Sequence, residues 1–467
     1  MIDFDTIPGS VRVPGRYIEF NTKTAVSGLP QNPQKMVLIA PMTTGRQAAL
    51  EPVNLFSDAE AADLFGAGSW AHLCVRQAFT NNAYLDLTVI GVADASDGAT
   101  AATGSVNVSG KATGTGIASI VLGGIAYNTA VAIDDTAEAV ASRLRALLAA
   151  PDSPATAAGS SGTVALTAKC KGEIGNDLAL TAKCTAAGLS LSANAFTGGA
   201  GNADISAALA KIAGKRYHII CSAFADDANA KRLSNHLAAV SNAIEKRGAV
   251  GVIGQRGSLS AGTTFAGKLN DGRISIPWYK GAIESSALIA AGYAAVLAFE
   301  EDPAKPLNTL EIKGLSITED ANWPLYAELN NALYNGLSPL TVVNNKVQIL
   351  RGVSSYTRNA TGTEDPALLD ITTIRTLDYV RDAVNQRIAL RFPREKLHNR
   401  TPQKVRSEIL DVLMKLEDAE IIENVAANAP KLLVERAPND PNRLNAVIPA
   451  DVVNGLHVFA ARIDLYL

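Results

Sequence analysis

Apolar residues along the first part of the chain come in short, nearly continuous runs. KMVLIA (35–40) and YLDLTVIGV (84–92) have the length and bounds of strands buried on both faces. Between them, SDAEAADLFGAG opens with Ser57 and carries Glu60 three positions on, a capping pattern that predicts a helix. From about residue 33 to residue 92 the order is therefore β, α, β, the grammar of a parallel sheet.

Near Asp94 the pattern changes. Residues 94–201 are rich in Gly, Ala, Ser and Thr, with short alternating runs such as GSVNVSG, ASIVLGG, TVALTAKC and DLALTAKC. One helix interrupts them, DTAEAVASRLRALLAA, with Asp135 or Thr136 as its cap. The hexapeptide ALTAKC occurs at 165–170 and again at 179–184, with the turn-rich KGEIGNDL between. Read as neighbouring antiparallel strands, the repeats place Cys170 opposite Ala179 and Cys184 opposite Ala165. The sulfurs are then about 17 Å apart at strand rise, far outside disulfide reach.

The α/β grammar returns after Ile205. RYHIICSA, AVGVIG and RISIPWY read as strands; DDANAKRLSNHLAAVSNAIEKRG, closed by a glycine, and TTFAGKLND read as helices. SALIAAGYAAVLAF is apolar on every side, which predicts a buried helix too short to cross a bilayer. TTIRTLDYVRDAVNQRIALRF carries a stripe of Ile374, Leu377, Val380, Val384 and Ile388, and TPQKVRSEILDVLMKLEDA follows as a second helix. The chain ends in LHVFAARIDLYL. Phe459, Ala461, Ile463, Leu465 and Leu467 share one face of a predicted strand, and Val458, Ala460, Arg462, Asp464 and Tyr466 share the other. A strand in that place must find a partner for its backbone groups.

These patterns predict an α/β core built from residues 27–93 and 202–340, a β-rich insertion at 94–201, and an α+β carboxy-terminal domain at 341–454. Arms at 1–26 and 455–467 complete the scheme. The amino-terminal arm has strand character at Tyr17, Ile18, Glu19 and Phe20, while Pro14 and Gly15 exclude a central strand.

Composition narrows the function. With 467 residues, 47% of them hydrophobic, the chain is long enough for several domains. A net charge of −3 gives no global field for nucleic acid. The start, MIDFDTIPGSVRVPG, lacks the basic and apolar regions of a secretory signal. Cys74, Cys170, Cys184 and Cys221 form no CxxC pair, and the simplest reading is four reduced thiols.

Enzyme motifs are missing. The glycines of GVIGQRG, at 251, 254 and 257, do not make GxGxxG, and no GxxxxGK[ST] occurs. Ser258 in GSLSAG lacks the nucleophile-elbow pattern, and His72, His218, His236, His398 and His457 stand in no triad context. No spacing suggests a metal site, so neither cofactor nor metal is expected. One asymmetry remains. From Arg375 to Arg406 there are nine Lys or Arg against three Asp or Glu. This is either a solvated helix face or a docking surface for an acidic partner.

Several segments resemble the tail sheath proteins of contractile bacteriophages, most closely the Mu-like group. The similarity lies in IPGSVRVPGRYIEFNTKTAVSGLP, LNDGRISIPWYKG, AAGYAAVLAFEEDPAKPLNTLEIKGL, NNALYNGLSPLTVVNNKVQILRGVSSYTRN and NRLNAVIPADVVNGLHVFAARIDLYL. The acidic–Pro–x–x–Pro–Leu–Asn run is its most specific part. The resemblance implies a doubly wound core of subtilisin-like shape without protease activity. It further implies a homo-oligomer of stacked hexameric rings wound helically around a tail tube, with baseplate and tail terminator proteins as further partners. No direct nucleic-acid contact and no membrane insertion are implied.

Such a protein resides in the virion tail, after assembly in the host bacterial cytoplasm. Its arms join neighbouring subunits by strand addition, here through Tyr17, Ile18, Glu19 and Phe20 at one end. At the other end the joining residues are Val458, Phe459, Ala461, Ile463 and Leu465. A twelve-residue strand reaches about 40 Å, enough for a neighbour. Arg387, Arg391, Arg394 and Lys396 become candidates for a tube-facing or inter-subunit surface. Two alternatives stay open: the sheath of a phage-derived tailocin-type device, and an enzyme with a hydrolase-like core. A type VI secretion sheath fits less well, because there the sheath is usually split between two chains.

Overall fold

The computed structural model describes residues 13–18 and 28–466. The chain forms two compact units: Asn32–Asp378 with the segment from Asn454 onward, and Tyr379–Val453 with the described residues up to Gln31. The expected domain boundary at 341 falls inside the first unit, and Gly28–Gln31 group with the second.

In the first unit, strand β1 (Lys35–Pro41) is followed by β2 (Val53–Leu55), helix α1 (Asp58–Phe65), helix α2 (Trp70–Asn81) and β3 (Asp86–Val92). Ser57 caps α1 by accepting from Glu60 N, and Glu60 reciprocates by accepting from Phe56 N at 2.9 Å. Along β1 the side chains alternate. Met36, Leu38 and Ala40 enter one hydrophobic core, and Val37 and Ile39 enter another across the sheet. Burial on both faces explains why the run reads as continuously apolar.

The insertion contains β4 (Thr103–Gly110), β5 (Gly116–Leu122), β6 (Ile125–Val131), α3 (Ala137–Leu148), β7 (Ala155–Ala158), β8 (Thr163–Ala168), β9 (Leu180–Cys184) and β10 (Leu189–Thr197). They make two sheets, in the orders β10-β4-β8-β7 and β6-β5-β9. Thr136 is the cap of α3. The two ALTAKC repeats are not neighbours: β8 pairs with β4 and β7, whereas β9 pairs with β5. The register expected between them is therefore wrong. The intervening residues do not make a hairpin loop but a short 3-10 turn, Glu173–Asp177, fixed where Asn176 exchanges two hydrogen bonds with the Gly199 backbone.

The chain then returns through α4 (Ser206–Ile212), β11 (Ile219–Ser222), α5 (Asp227–Ser241), β12 (Val250–Ile253), α6 (Leu259–Leu269), β13 (Ile274–Ser275), β14 (Pro277–Trp278) and α7 (Ser286–Phe299). The central sheet runs β13-β12-β11-β1-β3-β2, parallel except at β2. α5 stops earlier than its glycine suggested. Asn242 caps it and accepts from Ile244 N and Glu245 N at 2.8 Å each. RISIPWY is likewise not one strand. It splits at Ile276, β13 staying in the central sheet and β14 leaving it. Pro277, which has no N–H to donate, stands at the break.

α7 is buried along most of its length, with Ile289, Ala290, Ala291, Tyr293, Ala294, Ala295 and Leu297 fully enclosed. Both of its ends meet charge. At the amino end, Asp177 of the insertion accepts from Ser286 N at 2.5 Å and also binds the Arg256 guanidinium. At the carboxy end, Arg375 donates to the Glu300 carbonyl at 2.5 Å. Burial pulls Arg375 down to about 10, which leaves it charged at neutral pH, with Glu300 opposing the shift. An anion at the start and a cation at the end complement the helix dipole.

Beyond α7 come α8 (Tyr326–Tyr334), β15 (Ser338–Val343) and β16 (Lys346–Ile349). β14 pairs parallel with β15, and β15 antiparallel with β16. The long helix α9 (Ile371–Arg391) carries the chain across the boundary between units. In the second unit it packs through Tyr379, Val380, Ala383 and Val384 on α10 (Thr401–Asp418), using Val405, Ile409, Val412, Leu413 and Leu416. Two small antiparallel pairs complete that unit. β17 (Ile422–Glu423) meets β20 (Asp451–Val452), and β18 (Leu433–Arg436) meets β19 (Leu444–Val447).

Asp177 therefore ties the insertion to the buried helix. Asp177→Asn is expected to lower stability by about 2 kcal/mol, because it weakens charge-assisted bonds to Arg256 and to a helix start. Urea unfolding of the full chain measures this.

Candidate assembly surfaces

The carboxy-terminal segment emerges from the first unit as extended chain. Among the described residues it has no strand partner in its own chain. Val458, Phe459, Ile463 and Leu465 are 77, 84, 96 and 82% exposed, and Ala461 is exposed as well. The strand predicted from its alternation does not form here, since a ladder needs a second strand. The segment is thus a row of apolar side chains and backbone donors in search of an edge. Arg462 and Asp464, two apart on the same face, pair with each other at 2.7 and 2.9 Å.

At the other end, Tyr17 donates to the Val13 carbonyl at 3.0 Å, and Ile18 is 85% exposed. Glu19 and Phe20 lie outside the described residues.

The four basic candidates separate into two groups. Arg387 is an internal cation, with only 5% of its side chain exposed. It binds Glu408 at 3.1 Å and Asp411 at 2.5 Å. Arg391 leans on the same Glu408 at 3.5 Å. For these two, the expected exposed cationic surface gives way to cross-helix pairing. The acids sit on α10, beyond the stretch whose charges were counted, and their three-residue spacing was the overlooked signal. Arg394 and Lys396 are exposed. Much of the remaining charge in this stretch is also used internally. Arg406 binds the Leu432 and Ala429 carbonyls at 2.9 and 2.7 Å, and Lys404 meets Glu395 at 3.2 Å. Burial works against the charge of Asp411, but hydrogen bonds from Lys415 and Arg387 outweigh it and hold the carboxyl below its usual range.

The residues tested for chemistry have structural work. Ser258 caps α6 by accepting from Ala261 N. His72 accepts from Gly68 N at 3.0 Å through Nδ1, and His218 accepts from Lys35 N at 3.1 Å in the same way. Burial, with Arg216, Arg375 and Lys35 nearby, pushes His218 down to about 4. Among the described residues no group of acidic, His or Cys side chains is placed to hold a metal. No helix among them is long and apolar enough to cross a membrane.

The structure is similar to the sheath tail protein of Desulfitobacterium hafniense, with a TM-score of 0.53 and 14% identity over 95% of this chain and 97% of that one. It is also similar to the PVC sheath of an extracellular contractile injection system in the contracted state. There the TM-score is 0.51 and the identity 10%, over 97 and 98% of the two chains. Residues 198–355 match the phage tail sheath protein central domain, and residues 363–465 the phage tail sheath C-terminal domain. The Mu-like prophage FluMu tail sheath protein of Haemophilus influenzae is 34% identical over 487 residues, spanning 100% of both chains. The chain belongs to the phage tail sheath family, in its Mu-like branch. It is a structural subunit of a contractile tail sheath and a component of the virion.

Two outcomes are expected from these geometries. Removing Arg387 leaves Glu408 and Asp411 without their buried partner, so Arg387→Ala should cost about 3 kcal/mol. Hydrogen exchange of residues 379–453 reports it. His218 is held neutral in the fold, so its contribution is full above about pH 6.5 and is lost as pH falls through about 4. Wild type should lose up to about 3 kcal/mol over that window, and His218→Phe should show a flatter pH dependence in thermal melts.

Proposed function

We propose that the subunit polymerises helically around a tail tube through strands donated by its termini, and that contraction of this mesh drives the tube through the host envelope. The observation that carries the reading is the carboxy-terminal segment, a run of exposed apolar side chains on backbone that, among the described residues, pairs with no strand. An edge to receive such a strand exists in kind. The hairpin β18–β19 stands as an isolated pair, with Leu433 and Val447 55 and 61% exposed. Strand addition binds through backbone hydrogen bonds and sets register through side chains. At about 1 kcal/mol net per bond, several bonds hold a link that can pivot without breaking.

The energy for contraction then resides in contacts between subunits, and no cofactor is called for. The absence of enzyme motifs and the relatives' structural role support a protein without catalytic activity. The two-faced parallel sheet suits the subtilisin-like outline expected for the core. Arg394 and Lys396 remain the basic candidates for a tube-facing or inter-subunit contact. Exposed pairs of this kind are weak enough to release. Stacked hexameric rings, tube, baseplate and terminator partners, and assembly in the host cytoplasm belong to the same reading. A tailocin-type device would use the subunit in the same way.

The test is negative-stain microscopy of the purified chain. Wild type should form hollow rods with a helical repeat. A chain ending at His457 should stay folded, by circular dichroism, and form none. Rods from the truncated chain would sink strand donation. Arg394→Glu with Lys396→Glu should leave the fold intact and weaken co-sedimentation with the tube.

A further inference from the structure

The most specific motif of the chain, Glu301-Asp302-Pro303-Ala304-Lys305-Pro306-Leu307-Asn308, lies far from the carboxy terminus in sequence and against it in space. Its own position is rigid. Leu307 is 1% exposed, Ala304 is buried, and Asp302 accepts from Ala304 N at 3.0 Å. Directly after it, Thr309 N donates to the Ile349 carbonyl on β16 at 2.9 Å. Against this platform rests the root of the terminal segment. At Gly455 the chain comes so close that an added Cβ would lie 2.5 Å from Pro306 Cγ and 2.8 Å from His457 Nε2.

His457 is held from two sides. Its Nδ1 is 3.0 Å from Asn308 Nδ2, and its Nε2 is 3.5 Å from Asp370 Oδ1. Asp370 is itself fixed by Arg351 through two bonds of 2.7 Å. A neutral imidazole with its proton on Nε2 accepts from Asn308 and donates toward Asp370. The side chain of His457 is 14% exposed, and the next residue, Val458, is 77% exposed. Leu456 and Val458 on either side are 80 and 77% exposed, so the backbone at Gly455 and the ring of His457 are the points of attachment, and the apolar row after them starts from a held base.

We infer that Pro306, Asn308 and Asp370 form a socket that seats Gly455 and His457, fixing the point and direction from which the terminal strand is offered to a second copy of this chain. The inference rests on the strand-donation reading above, and adds which residues set the launch. The physical gain is pre-organisation. An anchored root shrinks the volume searched by the strand and so raises its effective concentration at a neighbour's edge. It also transmits force, since a donated strand links two subunits mechanically only if its base is fixed to its own body. Gly455 is needed because no side chain fits between the backbone and Pro306.

The test uses the full chain with Cys184→Ser, which removes the partly exposed thiol, and a nitroxide on Val458→Cys. In monomeric protein the label should be immobilised, and Asn308→Ala with His457→Ala should speed its motion roughly tenfold, within the nanosecond range of loop and terminus motion. Without the label, the double variant should melt near wild type and assemble into rods at least about tenfold less efficiently, as expected for lost effective concentration. His457→Gln, which keeps a donor toward Asp370, should recover part of both. Unchanged label motion overturns the socket, whatever the rods do. Unchanged rod yield beside a freed label overturns its role in assembly. If wild type itself makes no rods while the label is immobilised and freed as expected, the strand-donation reading fails and the socket stands as an anchor.

Discussion

The burial of one uniformly apolar helix, α7, organises the first unit. A helix surrounded on all sides cannot satisfy its terminal backbone groups with water, so its ends require partners from the protein. The partners are Ser285 and Asp177 at the start and Arg375 at the finish. Each comes with a structural consequence. Asp177 lies in the insertion, so capping α7 also fastens the β domain to the α/β core. Arg375 lies on the part of α9 that belongs to the first unit, so capping the other end also fixes that turn of α9 against α7. One buried element thereby ties the insertion and the start of α9 to the core of the first unit.

Several arginines in this protein serve as internal joinery. Arg273 holds Asp378 in two bonds of 2.7 and 3.1 Å, Arg351 holds Asp370, Arg256 holds Asp177 and Arg387 holds Glu408 and Asp411. Arginine suits such positions, because its planar fork makes several directed bonds and it stays charged when buried. Breaking one partner of such a pair costs more than the pair contributes net, which makes these contacts devices for fixing geometry.

The terminal segment differs from the body in carrying a run of exposed apolar side chains on unpaired backbone. Within the first unit the sheet is covered on both faces by separate cores, while the segment after His457 is apolar yet exposed. Isolated surface hydrophobics are ordinary, but a continuous row along an unpaired backbone invites association. In a free monomer this is a liability. On the strand-donation proposal, the same feature becomes the means of assembly. The socket around His457 limits the liability by fixing where the exposed row begins.

Periodicity alone determined a good deal. β1, β3, β11 and β12 were legible as continuous apolar runs, α7 as an all-round apolar helix, and the insertion as a change of alternation near Asp94. These are local properties, set by which faces each element must bury. The family resemblance, carried by motifs such as Glu301–Asn308, was legible too. What depended on distant partners was not. The ALTAKC repeats look like a pair, yet a 3-10 turn sends them to different sheets. The basic run 375–406 looks like a surface, yet acids on the next helix and carbonyls at the end of α7 consume much of it. Leu377 matches the stripe of α9 but is 36% exposed, while Tyr379 and Ala383 take up the packing. The alternation of a strand is legible in LHVFAARIDLYL, but a strand forms only when its backbone groups pair with a second strand. Sequence determines which residues are able to enter it, and only the tertiary structure decides where it is anchored, because the seat for His457 is assembled from Asn308 and Asp370, far away along the chain.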